Sequence, residues 1–179
     1  METQRLAQLI AISTFLWEMT RTNNADLKDV WQTPREILDL VQPIDVDPCA
    51  GESTQIGRDA NYSKSDDGLS KTWHGRVFVN PPFSQKGVWL QKVIEQQPHT
   101  DCIVVVTPDS TDTLSWWHKY IATEADYVWF SRGRISYINP DTGEKAKNPT
   151  FGTAISVFGE PGARTLARLQ SEGQLLQTV

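Results

Sequence analysis

Arg76-Val77-Phe78-Val79-Asn80-Pro81-Pro82-Phe83 is the stretch on which the fold turns. A short apolar strand runs directly into an amide, two prolines and an aromatic ring. Proline has no N–H to give to a sheet ladder, so the strand ends there. Pro82 also pushes Pro81 toward extended geometry. The backbone is therefore stiff, and it holds the Asn80 side chain and the Pro81 carbonyl at the carboxyl end of a strand. In open α/β sheets that end is where ligands bind.

These groups suit one kind of chemistry. An exocyclic amino group on a heterocycle is a poor nucleophile, because its lone pair is delocalised into the ring. Two acceptors, the Asn80 side-chain oxygen and the Pro81 carbonyl, would take its two hydrogens and draw the nitrogen toward tetrahedral geometry. Phe83 would stack on the ring and fix its plane. Positioning would then supply much of the rate of attack on a methyl donor. For these four residues alone, a strand followed by a proline-rich turn over the core explains the pattern equally well.

Outward from this stretch, strands and helices alternate. Ser84 to Gln97 carries Trp89, Leu90, Val93 and Ile94 on one helical face. Cys102 to Val106 is a continuous apolar run, as a parallel strand buried on both faces requires. Thr111 to Ala122 reads as a further helix, with its Trp116-Trp117 pair read as packing. Strands are expected at Asp126 to Phe130, Arg134 to Ile138 and Phe151 to Phe158, with a turn at Pro140-Asp141-Thr142-Gly143 and a final helix around Ala163 to Gln170. The pattern predicts an α/β fold with a mostly parallel sheet and an antiparallel hairpin at one edge.

Upstream, Thr33, Pro34 and Glu36 have the spacing of an N-cap, first helical position and capping box before Ile37, Leu38, Leu40 and Val41. A capped structural helix accounts for Thr33; a helix N-terminus would also suit a carboxylate or phosphate. Ile44 to Asp47 is a strand ending in an acid and followed by Pro48-Cys49-Ala50-Gly51, small enough for a ligand to approach the backbone. A brief strand is expected at Asp59 to Tyr62. Asp66-Asp67-Gly68-Leu69 reads as a turn, whose carboxylates would also accept from an amino group while Leu69 packs on a ring. There is no G-x-G-x-x-G and no phosphate-loop lysine, which disfavours dinucleotides and nucleoside triphosphates. Residues 4 to 20 carry Leu6, Leu9, Ile10, Leu16 and Trp17 at helical spacing. They are read as an N-terminal extension over residues 1–24, ahead of a single domain over 25–179.

Composition narrows the setting. The chain has 179 residues, 39% hydrophobic and 22% charged, as in an ordinary globular domain. No apolar run approaches the roughly 20 residues that span a membrane, and Met1-Glu2-Thr3-Gln4 does not begin like a signal peptide. Two cysteines make no disulfide framework, so the cytoplasm is the expected compartment. No His/Cys cluster has metal-ligand spacing, and no metal is expected. A net charge of −5 speaks mildly against nucleic acid. Local charge matters more, and residues 131 to 150 place Arg132, Arg134, Lys145 and Lys147 against Asp141 and Glu144.

Taken in order, Trp31-Gln32-Thr33-Pro34, Asp45-Val46-Asp47-Pro48-Cys49-Ala50, Asp66-Asp67-Gly68-Leu69, Trp73 through Phe83, Thr107 through Thr113 and Arg132-Gly133-Arg134-Ile135 resemble the phage-type DNA N6-adenine methyltransferases, the Dam-like family of phages and prophages. The likeness covers roughly residues 29 to 159. It implies a Rossmann-like methyltransferase fold using S-adenosylmethionine, acting on DNA in the cytoplasm of a bacterial host. By the same likeness Asn80, Pro81, Pro82 and Phe83 would be the amino-group acceptor and stacking motif. Asp47, Pro48, Cys49 and Ala50 would hold the methionine part of the cofactor. Thr33 and Pro34 would lie beside its carboxylate, and Asp66 or Asp67 with Leu69 beside its adenine. Arg132, Arg134, Lys145 and Lys147 would meet DNA. Asp47-Pro48-Cys49-Ala50 stands where methyltransferases in general carry a glycine-rich loop. Methylation of RNA adenine or of a protein glutamine amide poses the same delocalised nitrogen. A catalytically silent nucleic-acid-binding module of the same fold is the alternative of another class. Little chain is left over for reading DNA, so a weak or very short target sequence is expected, and the oligomeric state stays open.

Overall fold

The computed structural model describes residues 31–52 and 54–178; the helix expected over residues 4 to 20 and the boundary after residue 24 lie outside them. In chain order the described elements are α1 (Arg35–Val41), β1 (Val46–Asp47), β2 (Ala60–Asn61), β3 (Arg76–Val79), α2 (Lys86–Gln96) and β4 (Cys102–Pro108). A π-helix over Leu114–Ile121 follows, then β5 (Tyr127–Ser131), β6 (Thr153–Gly159), α3 (Ala163–Glu172) and β7 (Gly173–Gln177).

The strands form one seven-stranded sheet in the order β2-β1-β3-β4-β6-β5-β7. The first four are parallel, with Val46 opposite Val77 and Val77 opposite Ile103. Beyond β4 every neighbouring pair is antiparallel. Side-chain alternation along the central strands divides the core into two layers. Val77, Val79, Ile103 and Val105 face Trp89, Leu90 and Val93 of α2 and Trp116, Trp117 and Ile121 of the π-helix. Phe78, Val104 and Val106 face Ile37, Leu38 and Val41 of α1 and Leu169 of α3. Each such side chain contributes roughly 1.5–3 kcal/mol on burial. With helices covering both faces, β4 can be apolar from Cys102 to Val106, as its sequence predicted. The buried Trp116-Trp117 pair is packing, with ring centroids 5.7 Å apart and nearly perpendicular.

Three expectations are corrected. The antiparallel edge is present but is not a hairpin, because β6 lies between β4 and β5 and the short β7 closes the edge by pairing antiparallel with β5. Arg134 to Ile138 is not a strand: β5 already has β6 and β7 as neighbours, so this segment makes only isolated bridges from Ile138 to Gln32 and Lys145. Thr33 is not the N-cap of α1. Pro34 holds that position in extended geometry, there is no capping box at Thr33, and Glu36 turns to Lys145 instead.

Parallel pairing puts the carboxyl ends of β1, β3 and β4 on one edge of the sheet. The end of β5 and the start of β6 fall on the same edge, because β6 runs against both of its neighbours. Asp47, Asn80, Asp109, Ser131 and Thr153 therefore emerge on one side of the molecule.

Candidate active site

Asn80 leaves β3 with its side-chain nitrogen donating to the Trp31 carbonyl at 3.1 Å. A carbonyl can only accept, so the orientation of the amide is fixed by chemistry: the –NH2 is committed to Trp31 and the oxygen occupies the other branch. Pro81 is buried behind it. Lys86, at the start of α2, donates from Nζ to the Phe83 carbonyl at 2.7 Å while sitting 5.3 Å from the centre of the Trp116 ring. The motif is thus held at both ends, by Trp31 and by Lys86.

The Phe83 ring meets two aromatic rings from a distant segment. Phe151 lies 5.4 Å away, centroid to centroid, and Tyr137 6.4 Å away, both edge-on. Around them is a cavity of about 480 Å³, lined by Trp31, Asn80, Pro81, Phe83, Tyr137, Phe151 and the 146–150 segment. Four aromatic rings and two prolines contribute to its walls, and the Asn80 amide is among the polar groups that line it. A flat heterocycle with an amino group fits that chemistry.

The second half of the site lies across β1. Asp47 is 4% exposed, and its Oδ1 accepts the Cys49 N–H at 3.1 Å. Burial raises its pKa to about 7 despite the Cys49 hydrogen bonds. Burial also pushes the Cys49 thiol up, with the Asp47 charge adding to the effect, while a hydrogen bond from the Asn80 backbone opposes it. That contact joins the two halves of the site. Ala50 is buried and donates to the Tyr62 carbonyl at 2.9 Å.

The Asp66-Asp67-Gly68-Leu69 turn is pressed onto the same loop. A Cβ on Gly68 would stand 1.8 Å from the Pro48 carbonyl oxygen, so only glycine permits this approach. Asp67 takes φ +51° to bring the chain there, and Leu69, like Cys49 and Tyr62, packs against the hydrophobic core. The two acids differ. Asp66 accepts from the Ser63 backbone and hydroxyl, both at 2.8 Å, closing a capping box that lowers its pKa. Asp67 is exposed beside it. Thr33 has a buried hydroxyl with no hydrogen-bond partner, next to the buried Pro34. Among the described residues no group of His, Cys, Asp and Glu could hold a metal, and no helix is long and apolar enough to cross a membrane.

An amide fixed by its –NH2, followed by two prolines and an aromatic ring, thus lines a cavity at the end of β3, and the neighbouring strand β1 ends in a buried carboxylate. Residues 20–173 match the family of DNA N-6-adenine-methyltransferases (Dam). The chain belongs to this family. The DNA N-6-adenine-methyltransferase of Escherichia phage T1 is 26% identical over 160 residues, covering 78% of this chain and 66% of that protein. The DNA N-6-adenine-methyltransferase of Haemophilus phage HP1 (strain HP1c1) is 26% identical over 154 residues, covering 81% of this chain and 87% of that one.

In this Dam-family chain the four basic residues of the 131–150 segment have different surroundings. Arg132 is exposed. Arg134 is exposed and donates from Nη1 to the Pro149 carbonyl at 2.9 Å. Lys147 lies at the wall of the aromatic cavity. Lys145 pairs with Glu36 at 2.7 Å, fastening the segment to α1, and Gln32 and Ile138 exchange backbone hydrogen bonds nearby. Tyr137, Phe151 and the Trp31 carbonyl are wall and anchor groups that the local motif did not reveal. Only the aromatic residues bracketing the basic loop offered a signal in the sequence.

Proposed function

We propose that the chain methylates the N6 amino group of adenine in DNA, with S-adenosylmethionine as donor and a Rossmann-like methyltransferase arrangement of its sheet. The observation that carries this reading is the fixed orientation of Asn80, whose –NH2 is committed to Trp31 so that its oxygen serves as acceptor. The donor would supply an electrophilic methyl group on a sulfonium.

The residues fit such a donor. Asp47 is a buried carboxylate short of hydrogen-bond donors, and an ammonium group would offset the cost of its charge. The unpartnered Thr33 hydroxyl, with Pro34, would meet the cofactor carboxylate. Pro48, Cys49 and Ala50 form the floor of the loop. Leu69 would pack on the cofactor's adenine while Asp67 accepts from it, Asp66 being engaged as a cap.

On the acceptor side, an adenine in duplex DNA must first leave the stack, at a cost of a few kcal/mol. Phe83 would then stack on it, an interaction worth roughly 1–3 kcal/mol per base. Asn80 Oδ1 and the Pro81 carbonyl take the two amino hydrogens, which localises the lone pair on nitrogen and aims it at the methyl group. As the new N–C bond forms, the donor's S–CH3 bond would break to leave a neutral thioether, and the proton lost from nitrogen would pass to water past the Asn80 Oδ1 and Pro81 carbonyl acceptors. Arg132 and Lys147 would meet phosphates, which position the DNA while base contacts specify the sequence, and Arg134 would meet the DNA beside them. Lys145, already paired, would contribute through loop order. Among the described residues this loop and the strand ends beside it offer few groups for base reading, so the target is short, at most about four bases, as few contacts imply. The phage relatives favour action in a bacterial cytoplasm.

Incubating the protein with labelled S-adenosylmethionine and a mixture of unmethylated DNA, RNA and whole-cell protein tests the reading. Label should enter DNA; label in RNA or in protein glutamine instead would overturn the substrate assignment. No transfer at all would leave a silent binding module.

A further inference from the structure

Beside the aromatic cavity lies a second one, of about 470 Å³, over the ends of β4, β5 and β6. The two share Thr150 and Phe151 as a wall. The second is polar where the first is aromatic. Asp109, Ser110, Ser131 and Arg134 bring an acid, two hydroxyls and a guanidinium to it.

Two features suggest a built recess. Asp109 is held flat against the backbone: a Cβ on Gly152 would meet its carboxylate oxygen at 2.1 Å, and the Asp109 N–H donates to the Gly152 carbonyl at 3.1 Å. Arg134 is steadied from the other side by the Pro149 carbonyl. Yet among the described ion pairs Asp109 and Arg134 are not joined to each other. Opposite charges line one cavity without neutralising one another.

We propose that this recess holds the nucleobase next to the target adenine and reads its edge, with Asp109 accepting and Arg134 donating. The proposal rests on the reading of the chain as a DNA adenine methyltransferase. A phosphate would be repelled by Asp109, and an apolar ligand would strand both charges. A base edge presents hydrogen-bond donors and acceptors together, which is what an opposed acid and arginine satisfy. The shared Thr150 and Phe151 wall sets the recess directly beside the adenine pocket. Arg134 is then a specificity residue rather than a simple phosphate contact, and Asp109 its partner.

The test is methylation of an unmethylated DNA pool with random bases around each adenine, read out by methylation-sensitive sequencing. In the wild type, one directly flanking position should show a preference of about tenfold or more for one base, as a good edge contact gives. Asp109→Ala should flatten that position to within about threefold while leaving preferences elsewhere in place. Gly152→Ala, which pushes the carboxylate aside, should do the same. The near-isosteric Asp109→Asn, which exchanges an acceptor for a donor, should change which base is preferred. S-adenosylmethionine binding by each variant reports its folding. Efficient methylation with a flat flanking position, or a preference unchanged in Asp109→Ala and Asp109→Asn, overturns the proposal alone. A wild type that methylates no DNA overturns the functional reading on which it rests.

Discussion

The carboxyl ends of β1 and β3 stand side by side, yet they are organised in opposite ways. At the end of β3 the polar groups are tied down: Asn80 to Trp31, Phe83 to Lys86, with prolines stiffening the backbone between them. At the end of β1 a carboxylate is buried with little to stabilise its charge, and its pKa is raised to about 7. The first end is finished without a ligand and the second is not. Fixed acceptors serve the transition state, where positioning matters most. On the proposed reading an under-satisfied charge would serve binding, because a cationic ligand would supply what the protein leaves out.

The largest effect should come from breaking the finished end. Asn80→Ala should reduce single-turnover methyl transfer by about a thousandfold, the scale for removing a preorganised polar group at a reacting centre, while S-adenosylmethionine binding changes by less than about threefold. Equal losses in both would mean that the two ends are not separate. Phe83→Ala comes next, lowering kcat/KM for DNA by about tenfold to a hundredfold through the lost stack. Phe151→Ala should follow in the same direction, because it removes one of the two rings that buttress Phe83.

The unfinished end should show itself in pH dependence. The folded pKa of Asp47 lies above its unfolded value of 3.8, so the folded state holds the proton more tightly. Stability without ligand should therefore be full below about pH 4 and fall as pH rises toward 7, by up to about 1.4 kcal/mol per pH unit. Asp47→Asn should flatten that slope in chemical denaturation. Cofactor affinity should move the other way in the wild type, rising toward pH 7 as the carboxylate ionises, and Asp47→Asn should bind more weakly and without that dependence. An unchanged stability slope would mean that Asp47 is charged and satisfied in the free protein.

The smallest effect belongs to Lys145–Glu36, a pair in which both side chains are more than half exposed. Lys145→Ala should cost at most about 1 kcal/mol of stability. If it weakens DNA binding as much as Arg132→Ala does, the pair does not persist in solution and Lys145 meets phosphate directly.

Much of the fold was legible because its strongest signals are local. The continuous apolar run of β4 needs cover on both faces, and the prolines after β3 fix where that strand stops. β7 was not legible: Gly173-Gln174-Leu175-Leu176-Gln177 follows α3 without a turn, and half-polar edge strands carry little pattern. Arg134 to Ile138 misled in the other direction. Its alternation comes from Tyr137 packing under the loop against Phe83 and Phe151, and not from pairing in the sheet. Thr33 misled because Pro34, with its fixed φ, itself starts α1 and leaves the threonine hydroxyl outside. In the site, the motif residues were legible from chemistry. The walls were not, since Tyr137 and Phe151 reach Phe83 only through the long connection between β5 and β6. The role argued for Asp109 needed Gly152, which is distant in sequence and adjacent in space.

On the proposed reading these two ends together transfer a methyl group to an adenine amino nitrogen in DNA. It is tested most directly by hydrolysing unmethylated DNA to nucleosides after incubation with the protein and labelled S-adenosylmethionine. Label should appear in N6-methyladenine alone. Label in a methylated cytosine, or in no nucleoside at all, would contradict it.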